Sequence, residues 1–157
     1  MQIRAASPTD APRLMRIARL ALGAHPAYAF EAKLVLLRQF LEPALREKIV
    51  ADPGYYIVAE VDEVPIGFTT LALHGGVARS DWTMADPAAG APRVGARLFL
   101  HAIEEARRRG AHKLWGESLV DNPVVARFVL RHGGRIVARV ERYWFEQDYD
   151  LWEIPLR

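Results

Sequence analysis

The sequence predicts an α/β (α+β) domain built on a mixed, mostly antiparallel sheet. The chain has 157 residues, a length that fits one domain over residues 1–157, and 51% of them are hydrophobic, enough to bury a core. Short segments with strand-like alternation are interspersed with longer segments of helical periodicity. In the middle of the chain, a strand, a crossover helix and a second strand predict one parallel pair, 79–85 beside 113–119.

The N-terminal third is predicted to form one strand followed by helices. Ser7, Thr9 and Asp10 can all cap the first helix, which therefore begins close to Pro8. The apolar stripe of this helix comprises Leu14, Ile17, Ala18, Ala21 and Leu22. The elements expected here are a strand at 2–6, a loop at 23–30, a helix at 34–41 and a helical segment that Pro43 begins and that ends at residue 49.

The remaining elements follow from turn residues and from changes in periodicity. Asp62-Glu63 is expected to join two hairpin strands, and Gly75-Gly76 to turn the chain into a strand that ends near Ala85. Gly110 is expected to end the clearest helix. The small residues and prolines of 85–92 indicate a functional loop. The predicted elements are strands at 55–61, 64–73, 113–119, 135–145 and 149–156, and helices at 94–109 and from 121–123 to 133–134.

Composition excludes several classes of function. The chain contains no cysteine, which excludes a disulfide scaffold, a cysteine nucleophile and a thiolate metal site. The five histidines lack metal-ligand spacing, so no metal is expected. The net charge is only +2, and the one dense basic cluster, Arg107–Arg109, has no interleaved aromatic residues, which argues against nucleic-acid binding. Because no signal peptide and no apolar run of about 20 residues is present, a cytoplasmic protein without membrane contact is expected.

The helix that starts at Val94 predicts a site for a phosphorylated ligand. If two parallel neighbours splay apart, a crevice opens at their carboxyl ends, and the N-terminus of this helix would point into it. Small residues allow the backbone to approach phosphate closely, and they are frequent here: Gly90, Ala91, Gly95 and Ala96. The Arg93 guanidinium could neutralise the phosphate. The alternative is a plain loop and helix start, with Arg93 solvated.

Local sequences along the whole chain resemble the GNAT-type N-acetyltransferases. The residues that carry the resemblance are Ile3-Arg4-Ala5-Ala6 with Thr9-Asp10, Pro87, Gly95, the segment ARLFLHAIEEARRRGAHKLW, and the later series Asn122, Ala126, Phe128 and Gly133. The resemblance implies the acyl-CoA N-acyltransferase fold, with helices on both faces of the sheet. It also implies transfer of an acetyl group from acetyl-CoA to an amine of a small molecule or peptide. A homodimer remains an option for the oligomeric state.

The sequence departs from the family pattern at several functional positions. Only the final glycine of the pyrophosphate loop is kept, as Gly95, whereas Gly90 and Arg93 replace the loop arginine or glutamine and the middle glycine. Val129 stands where many members have a tyrosine general acid, and Gly134 replaces a phenylalanine. These departures support an alternative function, a weak or inactive pseudo-enzyme that binds acyl-CoA as a sensor or partner module.

Catalytic and cofactor roles are expected for residues near the crevice. Strand alternation would place Asp81, Thr83 and Ala85 on one face, where Asp81 could accept a proton from the amine through water. The alternative is an edge residue that faces solvent. Ser118 could replace the missing tyrosine as general acid, and Asn122 could contact the cofactor arm or simply cap a helix. The expected cofactor-binding residues are Met84, Ala85, Gly90, Ala91, Arg93, Val94, Gly95, Ala96, Asn122 and Phe128.

Overall fold

A computed structural model describes residues 1–89 and 93–157 of the chain. Its strands are β1 Gln2–Ala5, β2 Tyr56–Val61, β3 Val64–Thr70, β4 Ala72–His74, β5 Val77–Arg79, β6 Thr83–Ala85, β7 Lys113–Leu119, β8 Arg135–Trp144 and β9 Gln147–Pro155. The α-helices are α1 Ala11–Ala24, α2 Phe30–Leu37, α3 Glu42–Ala51, α4 Val94–Arg108 and α5 Pro123–Arg131. The backbone forms two units: an N-terminal unit (1–71 and 82–102) and a C-terminal unit (72–81 and 103–157).

The N-terminal unit contains an antiparallel sheet in the order β1-β2-β3-β6. Asp62 and Glu63 join β2 to β3 with φ angles of 49° and 63°, as a two-residue hairpin turn requires. Helix α1 turns its apolar stripe into the core, where Leu14, Ile17 and Ala18 are fully buried. Other residues of this core are Leu22, Phe40, Leu45, Ile49, Tyr56, Val58, Phe68 and Met84.

The C-terminal unit contains a five-stranded sheet in the order β4-β5-β7-β9-β8. The pairing of β5 with β7 is parallel, from Val77↔Lys113 to Arg79↔Trp115, and the other pairs are antiparallel. Helix α5 lies close to the sheet because Gly134 has no side chain. A Cβ there would lie 2.6 Å from Val129 Cγ1 and 2.5 Å from the Glu153 carbonyl oxygen.

The structure confirms the predicted fold class, a mixed sheet with one parallel pair, but three elements differ substantially from their predicted bounds. The strand expected up to residue 85 is two strands, because Ser80 N donates to Trp115 O whereas Trp82 N donates to Thr70 Oγ1. The parallel pair is therefore 77–79 with 113–115, and β6 runs antiparallel to β3. The strand expected over 64–73 likewise divides at Leu71 into β3 and β4.

The third difference concerns α2, which runs over Phe30–Leu37 and so begins four residues before the predicted 34–41 helix. Glu31 lies in its first turn, where a negative charge is favourable, and Lys33 N donates to Ala29 O. Its last residues pass into a single 3-10 turn, Arg38–Phe40. Within residues 1–89 and 93–157, no helix has the length and apolar character needed to cross a bilayer.

Candidate active site

Strand β6 ends the sheet order of the N-terminal unit, and among residues 1–89 and 93–157 only one of its edges pairs, with β3. The Met84 side chain is buried in the core, which leaves its backbone as the part able to meet a ligand. Hydroxyl groups hold β6 against β3: the Thr69 and Thr83 Oγ1 atoms are 2.8 Å apart, and Thr69 Oγ1 donates to Trp82 O at 3.0 Å. This arrangement offers an edge on which an extended molecule could add like a strand.

A buried carboxylate fixes the chain where it leaves β6. Asp86 is 8% exposed, and its Oδ2 lies 2.6 Å from Arg13 Nη2 on α1. Its Oδ1 accepts a hydrogen bond from Ala88 N, and Arg13 Nε donates to Pro65 O. The ion pair therefore joins α1, β3 and the turn at Pro87–Ala89. Sequence reasoning missed it, because nothing local links residues 73 positions apart.

The start of α4 combines a residue in a left-handed conformation with a glycine whose missing Cβ no described residue would crowd. Arg93 is exposed and has a φ angle of 68°, in the left-handed region. Val94 is buried against Gly67, where a Cβ would lie 2.7 Å from Val94 Cγ1. At Gly95, by contrast, the nearest contact of an added Cβ would be Thr83 Cγ2 at 3.8 Å. The described part of the chain therefore leaves room for a side chain at residue 95.

The structure brings four of the expected cofactor residues together at this helix start: Arg93, Val94, Gly95 and Ala96. Gly90 and Ala91 lie outside the described residues. The first N–H groups of a helix have no intrahelical acceptor and carry the positive end of the helix dipole. The turn can therefore bind an anion.

In the C-terminal unit, one face of β7 carries a cluster of charged and aromatic side chains. Trp115 and Glu117 share this face, because alternate residues of a strand point the same way. The Arg79 guanidinium lies 4.8 Å from the centre of the Trp115 ring. Arg79 also pairs with Asp81, at 2.5 Å, and lies 3.9 Å from Glu117 Oε1. Sequence reasoning assigned no role to Glu117.

Burial controls the ionisation of Glu117, whose side chain is only 17% exposed. Removal from water raises the pKa of this carboxyl above its ordinary value. The Arg79 charge lowers the pKa, the Asp81 charge raises it, and a hydrogen bond from the Trp144 side chain lowers it, but burial dominates. A carboxylate with a raised pKa is a stronger base, as proton abstraction from an ammonium group requires.

The structure corrects the expected position of Asp81. Residues 80–82 lie between β5 and β6, so Asp81 is not on a strand that it shares with Thr83 and Ala85. Its carboxylate is held by Arg79, and its side chain is 24% exposed. Asp81 therefore lies beside Glu117 as the acidic partner of an arginine.

The other face of β7 carries Ser118, which is buried and lies opposite Asp150 in the register with β9. Asn122 occupies the N-cap position of α5, but its side chain makes no capping hydrogen bond, in contrast to the expected cap. Phe128 is half-buried and stacks on His132 with ring centres 4.2 Å apart. Val129 is fully buried against Gly134, so the position of the family tyrosine is filled by packing.

Comparison with protein families identifies the class of protein to which this chain belongs. The model of the acetyltransferase (GNAT) family matches residues 15–134. The chain is therefore a member of the GNAT acetyltransferase family. No curated protein sequence matches the chain.

Solved structures of N-acetyltransferases share this fold. PaiA N-acetyltransferase from Thermoplasma acidophilum, in complex with coenzyme A, is 19% identical with a TM-score of 0.79 over 98% of both chains. Ribosomal-protein-alanine N-acetyltransferase from Brucella melitensis is 21% identical, with a TM-score of 0.74 over 99% of this chain and 100% of its own. YncA from Salmonella typhimurium, with its cofactor acetyl-CoA, is 19% identical with a TM-score of 0.72 over 100% and 94%. At these identities the likeness shows the fold.

Proposed function

We propose that the protein is an acetyl-CoA-dependent N-acetyltransferase that transfers an acetyl group directly to the amine of a small molecule or peptide. Family membership and the coenzyme A bound to a protein of the same fold support this function. The observation that carries it is Gly95. A helix with glycine is less stable by about 0.5–1 kcal/mol than one with alanine, and packing among the residues that the structure describes gives no reason for that cost. The close approach of a ligand phosphate to the helix backbone would explain the glycine.

Acetyl-CoA would bind along two features of the N-terminal unit. The amide groups of its pantetheine arm would add to the free edge of β6 at Met84 and Ala85, as a peptide adds to a sheet. Its pyrophosphate would accept hydrogen bonds from the N–H groups of Val94, Gly95 and Ala96, with Arg93 as the counter-charge. Asn122 and Phe128 are further candidates for contact with the cofactor. The Asn122 side chain is available for such a contact because it does not cap α5.

The transfer itself needs no covalent enzyme intermediate. Since the chain has no cysteine, the amine nitrogen would attack the thioester carbonyl and the thiolate of coenzyme A would leave. A backbone N–H near Ala85 would polarise the carbonyl oxygen. Holding amine and thioester together can supply ~7–11 kcal/mol of the reduction in barrier.

We propose Glu117 as the base that removes the proton of the amine, ahead of Asp81. Both are acidic, but Arg79 lies 2.5 Å from Asp81 and 3.9 Å from Glu117. The closer cation holds Asp81 in an ion pair, which leaves Glu117 as the less tightly held carboxylate. Ser118 was the sequence-based candidate for protonating the leaving thiolate, but it projects from the face of β7 opposite Glu117, so a water molecule on the Glu117 side is the better candidate for the acid. Asp81 would act mainly through Glu117, because its negative charge favours the protonated form of that carboxyl.

A second function, an acyl-CoA-binding sensor without turnover, rests on Val129. In the family resemblance a tyrosine acid stands there, whereas Val129 is fully buried. Such a protein would bind acetyl-CoA as tightly as an enzyme does but release no coenzyme A with any amine.

Two measurements test the proposed function. Acetyl-CoA at a hundred times its Kd should stabilise the fold by about 2.7 kcal/mol, seen as a rise in the thermal midpoint. Thiol release is then followed with polyamines, amino acids and peptides as acceptors. Glu117→Gln should lower kcat by about 10²–10⁴-fold and leave acetyl-CoA binding unchanged, with Asp81→Asn as the matched control of smaller effect. No thermal shift would exclude both functions, and a shift without turnover would favour the sensor.

A further inference from the structure

Two neighbours hold the guanidinium group of Arg79 in place. The parallel pairing of β5 with β7 sets Arg79 opposite Trp115, so the two side chains lie on the same face of the sheet. The guanidinium carbon lies over the Trp115 ring, 4.8 Å from its centre, where a cation is attracted to the ring. Asp81 Oδ1 lies 2.5 Å from Arg79 Nε. An aromatic ring and a carboxylate therefore fix the position of this charge.

The same guanidinium lies close to Glu117 but does not bind it directly. Glu117 follows Trp115 by two residues on the same face of β7, and its Oε1 is 3.9 Å from Arg79 Nη2. This distance suits an ion pair but is too long for a hydrogen bond. Because the Glu117 side chain is only 17% exposed, salt and water screen the interaction less than they would on the surface.

The other titratable groups near Glu117 come from β9. The residue directly opposite Glu117 is Leu151, which is apolar, and the diagonal neighbours are Tyr149 and Glu153. Tyr149 is buried. The Glu153 carboxylate pairs with Lys113 at 3.1 Å and with Arg135 at 2.8 Å. Among residues 1–89 and 93–157, Arg79 and Asp81 are the charged groups that act on the ionisation of Glu117.

We propose that Arg79 is a positioning residue for the base: held by Trp115 and Asp81, its guanidinium keeps the Glu117 carboxylate ionised without donating a hydrogen bond to it. The inference rests on the proposed role of Glu117 and deepens it. Burial alone favours the protonated carboxyl, which cannot take a proton from an amine. A direct ion pair with Arg79 would have the opposite effect and make Glu117 a poor base. The contact with Asp81 holds the cation at an intermediate distance.

The test is a titration of the Glu117 carboxyl group by ¹³C NMR, with the resonance assigned from its loss in Glu117→Gln. In Arg79→Gln the midpoint should rise by about 0.5–1 pH unit, because the ionised form loses a nearby cation. Arg79→Lys keeps the charge and should restore most of the wild-type midpoint. Asp81→Asn should shift the midpoint in the opposite direction, downward, because it removes an anion and releases Arg79 toward Glu117.

Lys113→Gln is the matched control, because it removes a cation from the same face of β7. Lys113 lies four residues from Glu117, ~13 Å along the strand, and its Nζ pairs with Glu153. This separation exceeds the screening length in physiological salt, so the Glu117 midpoint should not change. Far-ultraviolet circular dichroism checks that every variant is folded. An unchanged midpoint in Arg79→Gln, an equal rise in Lys113→Gln, or a rise in Asp81→Asn would overturn the proposal.

The pH profile of kcat provides a second readout. In Arg79→Gln the acid limb should move upward with the midpoint, so that the rate on the acid side falls about three- to tenfold while the alkaline plateau is kept. In Asp81→Asn the acid limb should move downward. Shifted Glu117 midpoints with an unmoved acid limb would instead overturn the role of Glu117 as base, while the coupling of Arg79 to Glu117 would stand.

Discussion

Replacing Arg93 with glycine should affect stability and ligand binding in opposite directions. The left-handed backbone at φ 68° costs a residue with a Cβ ~1–2 kcal/mol, and glycine does not incur this cost. The greater freedom of glycine in the unfolded chain returns ~0.5–1 kcal/mol of it. Since the Arg93 side chain is exposed, little packing is lost. Arg93→Gly should therefore stabilise the fold by ~0.5–1 kcal/mol, a rise of ~1–4 °C in Tm.

The same substitution removes the proposed counter-charge for phosphate. A contact between an exposed arginine and an anion is worth ~1 kcal/mol, so the Kd for coenzyme A should rise several-fold. Binding of pantetheine without phosphate should not change. Arg97→Gly is the matched control: this arginine is also exposed, but it lies inside α4 with its N–H bonded to Arg93 O. It should lower stability by ~1 kcal/mol.

Thermal denaturation and calorimetric titration measure both quantities on the same three proteins. If Arg93→Gly is destabilised to the same degree as Arg97→Gly, the reasoning from backbone strain is wrong. If the affinity for coenzyme A is the same in wild type and in Arg93→Gly, Arg93 does not contact phosphate. Equal losses for coenzyme A and for phosphate-free pantetheine would mean that Arg93 only supports the shape of the turn.

Three further outcomes are expected. Gly95→Ala should leave stability unchanged or raise it by up to ~1 kcal/mol but should weaken acetyl-CoA binding, because the site has room for a methyl group only while the ligand is absent. A loss of stability in thermal melts would contradict this expectation. Val129→Tyr should destabilise by ~1–3 kcal/mol in urea unfolding, because the buried position against Gly134 has no space for a ring; a stable variant with a faster rate would restore the general-acid expectation. The Arg108 hydrogen bond holds the pKa of Glu105 at about 2, below its ordinary 4.5, so this carboxylate stabilises the fold above pH 4.5 and loses that effect as the pH falls toward 2. Glu105→Gln should therefore be less stable than wild type at pH 7 and equal to it near pH 2. A difference in stability that does not depend on pH would contradict the ion pair.

The sequence predicted those parts of the fold that depend on local patterns. Helix α4 and strand β7 have nearly the predicted bounds, because a periodic apolar stripe ending at Gly110 and an alternating strand are local signals. The break between β5 and β6 is not local. It arises because Ser80 and Trp82 bond to different strands, and no residue type between them marks the change.

The candidate site likewise has one part that local sequence patterns predict and one part that depends on distant residues. The helix start at Arg93–Ala96 could be predicted, since small residues before a helix indicate an anion site. The surroundings of Glu117 could not, because they need the parallel register that sets Arg79 beside Trp115, and no local pattern indicates that register. The choice of Asp81 as the base relied on strand alternation, and the alternation ends where the strand does.

The pairing of Asp86 with Arg13 links the turn after β6 to helix α1. The carboxylate that directs this turn has its cation on α1, so the ion pair exists only while α1 is docked. Ligand binding at the turn should in return slow amide hydrogen exchange in α1, although no ligand atom needs to touch that helix. Substitutions in α1 would then alter cofactor affinity from a distance, and residues 13 and 86 would be expected to change together during evolution.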